Sequence, residues 1–391
     1  MWMLQLPREK LEAGLTSNLQ SLILSLNSRL IHLSTMDKHP LPGLPLCAID
    51  AQTLTVYPIY GDRNLERMMN LKTSLDALTM EAAVLGGAVL GCGGGGKLED
   101  GLYLGELAAA QGGAHFSQST DLPEQAAAVA VMPFHTSGSD TYQIHPRQAH
   151  AAMEMLQDNV QTSVVGLANG GLGAVDSIIG WELSGFLGLP LLDGGILASY
   201  HPASLLNLLT YWQETAETET FTVSLAGRFH NGQRHRRHLW HGRPAELLQQ
   251  VSTLPSPQKE SYVAATGPLR PADLRPATVS HTLRVGQAML AASDDGGEAT
   301  VTALQAVLPT DFSTFATVTE INWQGPDQDP TGHIKLRDEK NRQLQLVYNQ
   351  RYQELTIEGK ETAVFPDVII TLGILGTPLT GEEVFIGQDL Y

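Results

Sequence analysis

Hydrophobic positions recur along this chain in two rhythms, one helical and one strand-like. Leu11, Leu15, Leu19, Leu22, Leu26 and Leu30 follow one another at steps of three and four, so the spacing predicts an amphipathic helix over residues 8–33, with Pro7 suited to its start. HPLPGLPLC is a proline-broken linker, and CAIDAQTLTVYPIYGD reads as short strands. An apolar run, Ala82 to Leu90, then stops at Gly91–Gly96, six small positions that include Cys92, and a second apolar-periodic segment starts near Leu98. Beyond it come a short buried strand (Ala126–Met132), a helix (His145–Gln157) and a strand (Ser163–Leu167) ending at Asn169-Gly170-Gly171. They are followed by a helix (Val175–Leu187) and a strand (Leu189–Leu192) ending at Asp193-Gly194-Gly195.

Short apolar strands alternating with helices predict an α/β layered domain with a mainly parallel sheet and helices on both faces. Ligands of such sheets bind at the carboxyl ends of the strands, where Gly170-Gly171 and Asp193-Gly194 fall. Phe221–His241 reads as a β-hairpin turning at Asn231-Gly232. Helical patterns run from Pro244 to Met289, broken by Pro255 and Pro268. From Ala299 onward the pattern is β, with turns at Glu358-Gly359 and Gly376-Thr377-Pro378, which predicts a small C-terminal β-barrel or sandwich. The polar glycine stretch SDDGGEAT, residues 293–300, marks the boundary. The expected domains are an extension over 1–68, an α/β domain over 69–295 and a β domain over 296–391.

Composition narrows the class. A chain of 391 residues with 42% hydrophobic content can bury a large core, and 17% charged residues is low. A formal charge of −17 argues against nucleic-acid binding. Cys47 and Cys92 form neither a disulfide framework nor a zinc ribbon, which suits a reducing, cytoplasmic home. MWMLQLPREKLEAGL has charges where a signal peptide needs an apolar core, and no run of about eighteen apolar residues suggests a membrane span.

The glycine loop is the most specific chemical feature. Four consecutive glycines, Gly93–Gly96, fill no space and cost backbone entropy. They suit a tight turn whose N–H groups approach an anion or a polarised carbonyl at the start of the next helix. The plainer reading is a helix–helix turn with no ligand. Lys97 is followed by Leu98, so no Walker loop is present, and the loop follows a helix, so a dinucleotide fingerprint does not fit.

The stretch LGCGGGGKLEDGLYLGELAAAQGG resembles the opening signature of the S-methyl thiohydantoin desulfurase-like family, a former domain of unknown function associated with hydantoin-processing enzymes. Further matching segments follow in order: VVGLANGGLGAVDSIIGWELSGFLGLPLLDGG, AELLQQVSTLPSPQKESYVAATGPLRPADLRPATVSHTLRVGQAML and LQLVYNQRYQELTIEGKETAVFPDVIITLGILGTPLTGEEVFIG. The resemblance covers about residues 70–388. It implies an α/β layered domain joined to a β-barrel-like one, and chemistry on a cyclic ureide or thiohydantoin. Residues 1–68 lie outside it. They are an added arm, a dimerisation element, or the product of a start codon placed upstream of Met69.

Each candidate side chain has two readings. Cys92 at a helix N-terminus would favour a thiolate nucleophile; the plainer and preferred reading is a small residue in a tight turn. Asp193 suits a base, a metal ligand or a group orienting a urea-like N–H, or else a carboxylate bonded to its own turn. The Asn169 amide has a donor and an acceptor for a cyclic imide, or simply sits in a turn. The resemblance places an acid-rich motif at Asp193, Asp-x-Asp-Gly followed by a Gly-Arg-Ala stretch, where this chain has Asp193-Gly194-Gly195-Ile196 and so lacks the second acid and the arginine. It also places an Asn-Glu pair where this chain has Asn349-Gln350. The implied ligand-binding set is Gly91, Gly93, Gly94, Gly95, Gly96, Gly170, Gly171, Gly194 and Asn349, with Asp193 as the ligand for any divalent metal.

HNGQRHRRHLWHG does not suit a metal, because His235 and His241 lie about 20 Å apart on a strand while His238 points the other way. Arg228, Arg234, Arg236 and Arg237 make it a basic patch for a substrate carboxylate or a partner, or an ordinary solvated face. No serine-hydrolase or zinc-protease motif is present.

Two functions follow. One is a hydrolase or desulfurase in which loop N–H groups stabilise charge on the ring, Asp193 is base or metal ligand, and Asn169 orients the ring. The other is a catalytically degenerate ligand-binding protein or an accessory subunit of a hydantoinase-type system, with a homo-oligomer as the alternative assembly. Nucleotide binding ranks last. Neither nucleic acid nor membrane is an expected partner.

Overall fold

The structure is a computed structural model. It describes residues 47–50, 55–58 and 73–391, apart from 124, 136–143, 197–204, 228–235, 255–260 and 325–330. The leucine stripe, Met69, the turn at Asn231-Gly232, and Arg228, Arg234 and His235 lie outside the described residues. Two units divide the chain, Met1–Leu71 and Lys72–Tyr391. In the first, β1 (Cys47–Asp50) and β2 (Thr55–Pro58) pair antiparallel, in line with the strands expected there.

The second unit opens with β3 (Thr73–Ser74), α1 (Ala77–Leu90), α2 (Leu98–Gln111) and β4 (His115–Ser117). It continues through β5 (Ala127–His135), α3 (Pro146–Gln157), β6 (Val164–Asn169), α4 (Asp176–Leu187) and β7 (Leu191–Gly195). Next come α5 (Leu205–Thr215), β8 (Phe221–Gly227), β9 (Arg237–Gly242), α6 (Pro244–Ser252), β10 (Ser261–Leu269), β11 (Arg275–Pro276) and α7 (Thr278–Ala292). The sheet order is β3-β4-β7-β6-β5-β10-β8-β9, with β11 against β7. Only the steps β4–β7, β7–β6 and β6–β5 are parallel. The sheet is therefore mixed rather than mainly parallel.

The correction comes from β10. Residues 261–269 lie inside the stretch whose pattern reads as helical, yet they form a buried strand between β5 and β8, antiparallel to both. Period-2 alternation along β5 feeds two cores. Val129 and Val131 face α1, α2, α3, α4 and α7, while Ala128, Ala130 and Met132 face α5 and α6. This gives the expected α/β/α layering. The hairpin β8–β9 also forms, in the register Phe221↔Gly242.

The β pattern starts later than expected. Gly297–Val307 is helix α8, with Thr300 and Leu304 buried one turn apart. Strands then run as β12 (Ala316–Gln324), β13 (Thr331–Asp338), β14 (Gln343–Asn349), β15 (Tyr352–Ile357), β16 (Lys360–Val364) and β17 (Asp389–Leu390). They form one curled antiparallel sheet, β16-β15-β14-β13-β12-β17, a half-barrel rather than a closed barrel or a sandwich. Among the described residues no helix is long and apolar enough to cross a membrane.

α1 and α7 cross at backbone contact. A Cβ on Gly86 would run into the Thr282 carbonyl, and one on Gly286 into the Ala82 carbonyl. Gly286→Val should therefore destabilise the fold by about 3 kcal/mol, because neither carbonyl has a side chain to rotate away. Denaturant unfolding of the variant against the parent checks this.

Candidate functional site

Three amides of the glycine loop bond back to α1 and to the loop itself. The N–H groups of Gly91 and Cys92 donate to Gly87 O (2.8 Å) and Val89 O (3.2 Å), and that of Gly94 donates to Gly91 O (3.0 Å). The loop thus closes the C-terminus of α1. Its carbonyls face outward as acceptors. Gly95 O receives the Val175 N–H (3.0 Å) and the Asp176 N–H (3.4 Å) at the start of α4. Cys92 O receives the Tyr352 N–H (2.8 Å), and Gly93 O the Tyr348 hydroxyl (3.2 Å). Glycine is required by geometry here. Gly95 has φ +77°, and a Cβ on it would meet the Gly173 Cα at 2.5 Å. All six positions are buried. The loop is a joint between two helices and the half-barrel, and these three amides are not turned towards an anion.

Cys92 is 2% exposed, and its Sγ contacts Leu90 O at 3.6 Å. Burial pushes its thiol up, and the opposing pull of the Arg351 charge is smaller. That environment disfavours the thiolate.

Asn169 and Asp193 lie on neighbouring parallel strands. Asn169 pairs with Gly195, and both side chains point to the α4 and α7 side of the sheet. Both bond to the protein itself. Asn169 Nδ2 donates to Ser177 O (3.0 Å), and its Oδ1 accepts the Gly180 N–H (3.1 Å), which locks β6 to α4. Asp193 Oδ1 accepts the Ser280 N–H (2.9 Å) in the first turn of α7, and Oδ2 accepts from Gln118 Nε2 (3.0 Å). Asp193 is a helix cap supplied from across the fold. Two N–H donors aimed at its two oxygens do not suit a divalent cation. Among the described residues no group of three His, Cys, Asp or Glu side chains is placed to hold a metal.

The remaining predicted positions scatter. The Gly170 N–H donates to Val131 O, Gly171 is half-buried, and Gly194 pairs with Pro276 of β11. Asn349 is exposed at the end of β14, in the turn that leads to Tyr352. Among the described residues no hydrogen bond joins Cys92 to Asn169 or Asp193. The hollow beside Asn169, bordered by Ser177, Trp181 and Thr282, measures about 10 Å³, room for one water at most. His238 and His241 belong to the hairpin rather than to a site: His238 stacks on Trp240 at 5.3 Å, and His241 Nδ1 lies 3.1 Å from Thr222 Oγ1.

Two features escape the sequence. Asp176, in the first turn of α4 beside Gly95, is 4% exposed, and burial alone raises its carboxyl to about 8. Its only signal is an acid at a helix start, an ordinary place for one. The second is a cavity of about 800 Å³ between α7, α8 and the concave face of the half-barrel. Leu304, Leu336, Leu344, Leu346, Ile369 and Leu372 form its apolar floor, and Arg284, His281, Asp311 and Asp367 stand on its rim.

Two outcomes follow for the acids. Asp193→Ala removes the cap of α7 and should cost about 1–2 kcal/mol of stability by denaturant unfolding. For Asp176 the folded value lies above the ordinary 3.8. Its contribution is therefore complete below that pH and is lost as pH rises to about 8, at up to about 1.4 kcal/mol per pH unit. Asp176→Asn should flatten that fall, matching the parent near pH 4 and exceeding it at pH 8 in urea midpoints.

Comparison with known proteins agrees with this frame. The X-ray crystal structure of a protein from Chromobacterium violaceum superposes with a TM-score of 0.55 at 16% identity, over 80% of this chain and 84% of that one. At that identity the likeness shows the fold alone. No curated protein matches. A family model, "S-Me-THD-like, N-terminal domain", matches residues 79–202. The matched segment, which holds the glycine loop, Asn169 and Asp193, is similar to an S-Me-THD-like N-terminal domain, the family that the loop's sequence resembles.

Proposed function

We propose that this chain is a small-molecule-binding relative of the thiohydantoin desulfurase-like proteins, and that it does not break its ligand through Cys92, Asn169 or Asp193. One observation carries the reading. Both polar atoms of the Asn169 amide and both Asp193 oxygens are bonded to the fold itself, and the Cys92 sulfur is buried against a carbonyl. A nucleophile or base must reach the atom it attacks, and these groups would first have to abandon a helix lock and a helix cap. The substitutions in this chain point the same way: the second acid and the arginine that the resemblance implies over residues 194–198 are missing, and Gln350 stands where it implies an acid.

The experiment is a turnover assay paired with a binding assay on the full chain. Release of sulfide from 2-thiohydantoins, and of methanethiol from their S-methyl derivatives, should stay at the buffer rate. Hydantoins and thiohydantoins should raise the melting temperature saturably. Turnover that disappears in Asp193→Asn with unchanged melting would establish the desulfurase reading instead.

A further inference from the structure

The cavity against the half-barrel has a defined chemistry. Its floor is built of leucine and isoleucine side chains, with Gln305, Thr362 and Thr371 among the wider lining. What the floor accepts is an alkyl or aryl body. Its volume, about 800 Å³, lies within the range of small-molecule sites. At the mouth, Gln305 Nε2 donates to Ser313 Oγ (2.9 Å) and ties α8 to the segment that leads into the half-barrel, so the wall is joined rather than open.

The rim supplies the polar half. Arg284 is the one cation among the described lining residues. Its Nη2 donates to His281 Nδ1 (2.6 Å), so that nitrogen has no proton. Among the described residues Arg284 has no carboxylate partner, whereas Arg243, Arg270, Arg342 and Lys335 each pair with one. Two carboxylates share the rim. Asp367 accepts the Val364 N–H of its own turn, and Asp311 is exposed on the segment after α8. The guanidinium has donors left for a carboxylate, in the planar fork that suits one.

We propose that this cavity is a ligand site in its own right and that it takes an amphipathic monocarboxylate: hydrocarbon body on the leucine floor, carboxylate on Arg284. The proposal goes beyond the hydantoin-binding reading above and does not depend on it.

Its test uses N-phenyl-1-naphthylamine, an uncharged probe that fluoresces in apolar sites, displaced in turn by decanoate, decanol and decylamine. The probe should bind the full chain saturably, and decanoate should displace it at roughly fivefold lower concentration than decanol, the scale of one solvent-exposed ion pair. Arg284→Ala should erase that advantage and leave decanol unchanged. Leu355→Trp, which fills the cavity from β15, should abolish probe binding; Ala363→Phe from the β16 wall serves if the first variant does not fold, with melting curves checking both.

Equal displacement by decanoate and decanol, or a preference for decylamine, overturns the carboxylate head. Probe binding that ignores both filling variants overturns the cavity as the site. In either case a saturable melting shift with hydantoins that is equally indifferent to these variants leaves the ligand-binding reading in place. Absence of both the shift and probe binding removes that reading as well.

Discussion

The carbonyls of one glycine loop hold this molecule's parts in register. Gly95 O accepts the first N–H groups of α4, while Cys92 O and Gly93 O accept from the half-barrel. The Gly91 and Cys92 amides meanwhile terminate α1. A helix end buried without partners leaves costly orphan groups, and here two helix ends and a sheet satisfy one another through five residues of main chain. Glycine is what lets the chains approach so closely. At Gly93 a Cβ would strike the Tyr352 ring, and at Gly95 the Gly173 backbone. The entropy lost in ordering these glycines is offset by contacts that no larger residue permits.

This arrangement also explains the two polar side chains behind the loop. Asn169 fastens β6 to α4, and Asp193 fastens β7 to α7. With the loop they fix α4 at its N-terminus and along its first turns, and α7 at its N-terminus, while α1 and α7 touch backbone to backbone. Asp176 is the costly member. Its carboxyl sits at the loop–α4 junction with its ordinary acidity removed by burial, a cost that surrounding packing sustains.

Much of the architecture is legible in the sequence. Strands β5, β6 and β7, helices α1 to α4 and the β8–β9 hairpin follow from apolar runs, periodicity and turn residues. The failures have physical causes. SYVAATGPL sits among helical patterns, and only its pairing with β5 and β8 makes it a strand. GEATVTALQAV has β-branched residues, yet Thr300 and Leu304 pack one turn apart and hold a helix. The site was less legible than the fold. Sequence put Asn169 and Asp193 at the ends of successive strands, but a Gly-rich loop looks the same whether its amides or its carbonyls bond to the neighbouring elements. The cavity left no mark, because its floor is the alternating leucines that any curled sheet would show.

The joint is made of main-chain atoms, and this affects how such proteins change over time. The loop's contacts to α4 and to the half-barrel are made by its own main-chain carbonyls, so they depend on the path its glycines set and not on the loop's side chains. A lineage can therefore lose or acquire a reaction while its scaffold persists intact. A search keyed to this glycine signature gathers shared scaffolding, and says little about which of its bearers turn over a substrate.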